Sequence, residues 1–205
     1  YLICDQRDPR LQPVLLNSQC LTIDYRQFDR QVNKLKLQVL GAHNRLNAAA
    51  ALAVAKVLMI NPSTAREALN KFKGTWRRLE YLGRTRSGAR LYDDYAHHPT
   101  EIRATLAAIR QDFAARRLIV IFQPHLYSRT KLLFQEFVES FNDADEILIL
   151  PIYAAREARD KTISSRMLAA AIPRATYVPN FAAVSQRLDT TDRRDLILIL
   201  GAGNV

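Results

Sequence analysis

The chain has 205 residues, 48% hydrophobic and 24% charged, which suffices for one large domain or for one complete domain plus part of another. Its formal net charge of +10 favours polyanionic partners, which could be nucleic acid, nucleotides or a sugar diphosphate. No apolar run reaches the roughly 18 to 20 residues that a membrane span requires, and no signal segment opens the chain, so we expect a soluble, intracellular protein with no membrane partner.

The first 40 residues alternate short apolar runs with polar connections. The runs at residues 1–4, 19–25 and 35–39 predict strands, and the chain is expected to begin in mid-domain. A buried helical face is predicted after Gly41 by apolar residues at helical spacing. These are Leu46, Ala49, Ala50, Ala53, Val54, Val57 and Leu58.

Asn61-Pro62 should end that helix. Thr64 and Glu67 have the spacing of a capping box, which predicts a second helix that runs to about Lys71, with Gly74 beyond it. We therefore expect a domain boundary between residues 74 and 78.

From residue 79 the pattern becomes a regular alternation of strands and amphipathic helices. Strands are predicted at residues 79–82, 90–93, 118–122, 146–150, 176–178 and 196–200. The runs at 118–122 and 147–150 are continuously apolar, as in parallel strands buried on both faces. The pattern predicts an α/β fold with a doubly wound, mostly parallel sheet.

Three polar loops follow strands of this sheet. Residues 93–101 read Asp-Asp-Tyr-Ala-His-His-Pro-Thr-Glu, residues 123–130 read Gln-Pro-His-Leu-Tyr-Ser-Arg-Thr, and residues 151–159 contain a Tyr, two Arg and a Glu. Ligands of open parallel sheets bind beyond the carboxyl ends of the strands, so the three loops predict one site.

Other functions are weaker interpretations of the same sequence. The pair His97-His98 suggests a metal, but adjacent histidines rarely point at one ion, and we expect no metal ligand in this chain. The net charge allows a nucleic-acid module, yet no basic stripe with interleaved aromatics is present, so no nucleic-acid partner is expected. The run Gly201-Ala-Gly203 is an incomplete dinucleotide fingerprint and gives an oxidoreductase little support.

Five ordered motifs together resemble the Mur ligases. Two lie early: residues 41–50, which contain His43 and Asn44, and residues 72–80, which contain Arg78. Those at residues 93–101, 122–130 and 152–157 are similar to the branch of the family that adds L-alanine to UDP-N-acetylmuramate. The resemblance covers essentially the whole chain; Leu126 departs from the pattern, because many members carry Arg there.

The resemblance implies three domains in the whole enzyme. Residues 1–77 would be the end of the central ATP-binding domain, and residues 78–205 would be a Rossmann-like C-terminal domain that brings the amino acid. No G-x-x-G-K-[ST] segment occurs in the sequence, so we expect the chain to be inactive without its own upstream domains.

The implied reaction is peptidoglycan precursor synthesis in the bacterial cytoplasm. ATP would activate the carboxylate of UDP-N-acetylmuramate as an acyl phosphate, which the amine of L-alanine displaces. The Mg²⁺ ligands are expected mostly upstream of this chain.

By motif match, seven residues take roles in this reaction. His43 and Asn44 would bind the adenine, Asp94 the ribose and Arg78 the phosphates of ATP. The alanine pocket would contain Tyr95 together with two residues that are also the candidate catalytic ones. These are His97, which could bind the amine or accept its proton, and Arg129, which would pair with the alanine carboxylate.

Overall fold

A computed structural model describes residues 1–203 of the chain. These residues fall into two compact units, one from Tyr1 to Gly74 and one that begins at Thr75. None of the described helices is both long and apolar enough to cross a membrane.

The first unit combines a two-stranded parallel sheet with four α-helices. The strands are β1 (Leu2–Cys4) and β2 (Thr22–Asp24), paired from Leu2 with Thr22. The helices are α1 (Gln12–Asn17), α2 (Asp29–Val32), α3 (Ala42–Val57) and α4 (Pro62–Lys71). The core is formed by α3 against the segment that contains Phe28, Val32 and Leu35.

The buried face of α3 differs from the predicted one. Ala49 and Ala53 are fully buried, but Val54 and Leu58 are 43% and 62% exposed, and Leu52 is buried instead. The predicted helix is present, but its buried face is formed in part by other residues than predicted. The alanines permit a close approach to the turn Tyr25–Phe28, so the larger apolar residues lie outside that contact.

Two further predictions in this unit were wrong. Residues 35–39 form no strand: the amide of Lys36 donates to the Asn70 side chain at 2.8 Å instead of to a ladder partner, and Leu35 packs in the core. The cap of α4 is Asn61, whose side chain accepts from the Ser63 amide at 2.9 Å, and Thr64 already lies inside the helix.

The second unit is built on a six-stranded sheet with the order β3-β4-β8-β5-β6-β7. Its strands are β3 (Glu80–Arg84), β4 (Arg90–Asp94), β5 (Leu118–Phe122), β6 (Glu146–Ile149), β7 (Ala175–Tyr177) and β8 (Leu196–Leu200). β3 pairs antiparallel with β4, and every other pair is parallel. The predicted α/β, mostly parallel architecture is confirmed.

Helices follow the strands as the amphipathic patterns predicted. They are α5 (Pro99–Phe113), α6 (Tyr127–Leu132), α7 (Phe134–Val138), α8 (Ser165–Ala171) and α9 (Phe181–Leu188). Ile102, Leu106 and Ile109 of α5 are at most 1% exposed. β5 is buried at every position and lies in the interior of the sheet, as its continuously apolar sequence indicated.

β3 begins one residue later than predicted and continues to Arg84. Leu79 is excluded because its φ is +47°, and a bulge between Tyr81 and Gly83 lengthens the strand. Gly83 has a φ of +122°, which a residue with a side chain rarely adopts. The reversed direction of β3 places its first residues beside the carboxyl end of β4, because Glu80 pairs with Asp93.

Candidate active site at the C-terminal edge of the sheet

The parallel strands of the second unit all end at one edge, which we call the C-terminal edge. Three of its loops follow β4, β5 and β8, at residues 95–98, 123–126 and 201–203, and a longer one follows β6 at residues 150–164. Residues 75–79 also lie there, since β3 is antiparallel. The loops that the sequence singled out therefore share one edge, as predicted.

Four aromatic rings form a continuous row across these loops, which we call the ring row. The centroids of Tyr95 and His97 are 5.3 Å apart, those of His97 and His125 5.8 Å, and those of His125 and Tyr153 5.7 Å. The first two contacts are edge-to-face and the third is stacked. The predicted pocket residues Tyr95 and His97 thus share one row with His125 and Tyr153. The motifs gave no ligand role to these last two residues.

Arg129 stands beside the ring row in the first turns of α6. Its guanidinium lies 3.4 Å from Nδ1 of His125, and the residue is partly buried. Burial lowers the pKa of His125, and the positive charges of Arg129 and of His97 lower it further. His125 is therefore held neutral, and Arg129 keeps its cationic fork for an anion.

The hydrogen bonds of His97 select its tautomer. Nδ1 lies 2.9 Å from the carbonyl oxygen of Tyr95 and 3.4 Å from a carboxylate oxygen of Glu101. Both neighbours accept hydrogen bonds, so Nδ1 carries the proton in the neutral ring, and Nε2 then has the lone pair. His97 can therefore accept a hydrogen bond or a proton through Nε2.

Glu101 fixes the loop that carries His97. One of its carboxylate oxygens accepts from the amides of His97 at 3.0 Å and His98 at 3.2 Å, while Nδ1 of His98 accepts from the Thr100 amide at 3.3 Å. Burial raises the pKa of Glu101, but the hydrogen bond from His97, the charge of His97 and the His98 amide outweigh it, so the pKa is lowered. His98 thus caps α5.

Asp94 ties its loop to residues 75–79. Its carboxylate accepts from the amides of Leu79 and Ala96, both at 2.8 Å, and the residue is 5% exposed. Arg78 is exposed, and its guanidinium lies 5.9 Å from the ring centroid of Tyr95. The predicted ribose and phosphate residues therefore stand next to the predicted alanine residue Tyr95.

The two predicted adenine residues belong to the first unit. His43 is exposed and Asn44 is partly buried, both in the first turn of α3. The Asn44 side chain donates to the carbonyl of Leu40 at 2.8 Å and accepts from the Asn47 side chain at 3.2 Å. Asn47 thus holds the Asn44 side chain at the start of the helix.

Several contacts between residues of this edge were not predicted from the sequence. Tyr153 is joined to the β5 loop by hydrogen bonds from its amide to Pro124 and from the Leu126 amide to its carbonyl, at 2.8 and 2.9 Å. Gly203 packs so closely that a Cβ there would lie 2.3 Å from Oε1 of Gln123. Such contacts join loops that are distant in sequence and come together only in the folded sheet.

A buried ion pair also lies at this edge. The guanidinium of Arg77 contacts both carboxylate oxygens of Asp93, at 2.8 and 3.4 Å, and both residues are under 10% exposed. The motif match assigned the phosphates of ATP to Arg78 and gave no role to the adjacent Arg77. Among residues 1–203, no three His, Cys, Asp or Glu side chains are grouped so that they could hold a metal ion.

Comparisons with known proteins agree with these motifs. The family model described as "Mur ligase, glutamate ligase domain" matches residues 77–203. The UDP-N-acetylmuramate--L-alanine ligase of Paenarthrobacter aurescens is 45% identical over 87% of this chain and 39% of its own length. That of Caldanaerobacter subterraneus is 41% identical over 91% and 41%, respectively.

Solved structures give the same result for the fold. The UDP-N-acetylmuramate-alanine ligase of Thermotoga maritima superposes with a TM-score of 0.68 at 28% identity, covering 83% of this chain and 36% of that one. A murein peptide ligase from Psychrobacter arcticus gives 0.55 at 26% identity, covering 82% and 36%. The chain spans less than half the length of these relatives.

Proposed function

The chain belongs to the Mur ligase family, and we propose that it is the amino-acid-binding part of an ATP-dependent ligase that joins L-alanine to UDP-N-acetylmuramate. Residues 1–77 would complete the central ATP-binding domain, and residues 78–205 would form the C-terminal domain. The proposal rests on one arrangement at the C-terminal edge: Tyr95 and His97 belong to the ring row, and Arg129 lies beside it. The relatives that bear this activity support the choice of substrates.

Arg129 is proposed to hold the carboxylate of L-alanine. A guanidinium offers two parallel N–H groups that match a carboxylate, and a neutral His125 beside it does not compete for the anion. The alanine amine would lie near His97, which accepts one of its N–H groups or its proton at Nε2. Tyr95 would pack against the small side chain of the amino acid.

The amide is proposed to form by displacement of phosphate. The amine nitrogen attacks the acyl carbon of the muramoyl phosphate, the tetrahedral intermediate collapses, and the C–O bond to phosphate breaks. One proton must leave the nitrogen, and Nε2 of His97 is its proposed acceptor. The protein contributes chiefly by positioning the amine and the acyl group at reacting distance.

The side chains proposed for ATP suit the parts of the nucleotide. The amide of Asn44, with His43, would meet donors and acceptors of adenine, the exposed Arg78 would reach the phosphates, and the carboxylate of Asp94 would accept from a ribose hydroxyl. Mg²⁺ would neutralise the phosphate charge when bound. Its ligands are proposed to lie mostly in the upstream part of the enzyme.

The proposal is tested by phosphate release from ATP by the full-length protein, supplied with UDP-N-acetylmuramate with and without L-alanine. The 205-residue chain is assayed in parallel. We expect release that needs both substrates in the full-length protein and none from the chain alone. Release that is independent of either substrate, or activity of the chain by itself, would contradict the proposal.

A further inference from the structure

We infer that Arg77 is a positioning residue that fixes both ends of the ring row, an inference that rests on the proposed function. Arg77 is 6% exposed, directly precedes the residue proposed to contact phosphate, and has no role in the reaction described above. It connects three segments of the C-terminal edge through its main chain and side chain. These segments are residues 75–79, the β4 loop and the β8 loop.

The first end of the ring row is held through the main chain. The carbonyl of Arg77 accepts from the amide of Tyr95 at 2.8 Å, and the Arg77 guanidinium lies 5.3 Å from the Tyr95 ring centroid. Residue 77 has a φ of +53° and residue 79 a φ of +47°, both unfavourable for side-chain-bearing residues. The backbone keeps this conformation because the side chain of Arg77 and the carboxylate of Asp94 anchor it.

The other end is held through the side chain. The guanidinium donates to the carbonyls of Gly201 at 2.7 Å and Gly203 at 3.1 Å while it pairs with Asp93. A Cβ on Gly203 would lie only 3.0 Å from Cγ of Tyr153, so the β8 loop packs directly on the last ring of the row. Arg77 therefore sets where this loop presses against Tyr153.

Lysine cannot replace arginine in this role. One planar guanidinium serves a carboxylate and two carbonyls that lie in different directions, whereas an ammonium is a point charge with a different donor geometry. Removal of Arg77 would also leave Asp93 buried without its partner. The loss should therefore displace Tyr95 and the β8 loop together, and it should weaken alanine binding rather than binding of the UDP-sugar.

The test uses the full-length protein with Arg77→Ala, Arg77→Lys and Asp93→Asn, and with Arg86→Ala as a matched control at an exposed arginine. We expect Arg77→Ala to raise KM for L-alanine by roughly tenfold to a hundredfold, as small displacements of binding groups do. KM for UDP-N-acetylmuramate should stay within about twofold. Millimolar guanidinium should restore alanine binding to Arg77→Ala and should not change Arg86→Ala.

An unchanged KM for L-alanine in folded Arg77→Ala, or an Arg77→Lys enzyme equal to wild type, would overturn the inference. If Arg77→Ala does not fold, Arg77→Lys and Asp93→Asn decide by the same criterion. If the wild-type enzyme shows no alanine-dependent phosphate release, the proposed function fails by itself. The inference is then judged by hydrogen exchange of the Tyr95 and Gly201 amides, which must be faster in the Arg77 variants than in Arg86→Ala.

Discussion

The rings of His125 and Tyr153 are stacked, with an interplanar angle of 26°, and they come from loops that follow adjacent parallel strands. The main chains of the same loops form an isolated bridge between these two residues, so the stacking is supported by the sheet itself. The partly buried His125 is thereby in contact with Tyr153, His97 and Arg129. This environment has a measurable consequence for the pH dependence of stability.

Acid should destabilise the protein in part through His125. Its pKa is lowered in the folded state from 6.5, by burial and by the charges of Arg129 and His97. Above pH 6.5 both folded and unfolded states are neutral at this residue; below it the unfolded state binds the proton first, so stability falls until the pH passes the folded pKa. His125→Gln should show a smaller loss of urea stability between about pH 7.5 and about pH 5.5. An equal loss in both proteins would show that His125 does not contribute.

Arg129 should determine the affinity for L-alanine in the full-length enzyme. Removal of a charged hydrogen-bonding partner costs about 1.5–3 kcal/mol, so Arg129→Ala should lower kcat/KM for L-alanine by roughly tenfold to a hundredfold or more. Arg129→Lys should recover only part of this loss. Arg103→Ala, at an exposed position of α5, is the control. A normal KM for alanine in Arg129→Ala would remove Arg129 from the pocket.

Glu101 should matter both for stability and for the position of His97. Glu101→Ala removes the acceptor of the His97 and His98 amides, and loss of such a helix-terminal cap costs about 1 kcal/mol. Thermal unfolding should occur at a lower temperature, and KM for L-alanine should rise because His97 is no longer fixed. Glu136→Ala, which changes an exposed acid on α7, should do neither. Unchanged kinetics in Glu101→Ala would separate the cap from the site.

Acid should also remove the stabilisation that Glu101 provides. In this case the folded state is stabilised by the charged carboxylate, whereas at His125 the folded state disfavours the charged imidazole. Hydrogen bonds from the amides and the charge of His97 lower the folded-state pKa below 4.5. The stabilisation is therefore complete above the unfolded pKa and is lost as the pH falls through the folded pKa. The stability difference between wild type and Glu101→Gln should shrink below about pH 4.5; a constant difference would contradict this assignment.

A side chain at Gly203 should force the side chains of Gln123 and Tyr153 to shift. A Cβ would meet Oε1 of Gln123 at 2.3 Å and the Tyr153 side chain at 3.0 Å, and overpacking of this kind costs about 1–3 kcal/mol. Gly203→Ala should lower the unfolding temperature. The double variant with Gln123→Ala should recover part of the loss, because the nearest atom is removed. Additive losses in the double-mutant cycle would show that the two residues are not in contact.

The sequence predicted strands best where both faces of the strand are buried, because such a strand is apolar at every position. Residues 118–122 and 196–200 were predicted with the observed ends, because each is a run of five consecutive apolar residues, the length and composition of a parallel strand buried on both faces. Residues 35–39 failed because their apolar side chains pack into a core without a neighbouring strand, and a short alternation cannot distinguish the two cases.

The candidate site was likewise predicted only in part. Its loops could be placed on one edge from the strand pattern alone, since parallel strands end together. The contacts between those loops could not be predicted: Arg77 with the carbonyls of Gly201 and Gly203, or His125 with Tyr153, depend on strand order and on side-chain direction. The assigned ligand roles of Tyr95, His97 and Arg129 come from the family motifs and stay predictions until the variants are measured.

The reversed direction of β3 determines at which edge of the sheet the polypeptide enters the second unit. Because β3 is antiparallel, the polypeptide enters this unit at the same edge as Arg78, Asp94 and Tyr95. A parallel first strand of five residues would have attached it about 16 Å away, at the opposite edge. The direction of this one short strand therefore brings residues 75–79, and with them the buried ion pair of Arg77, to the edge that carries the candidate site.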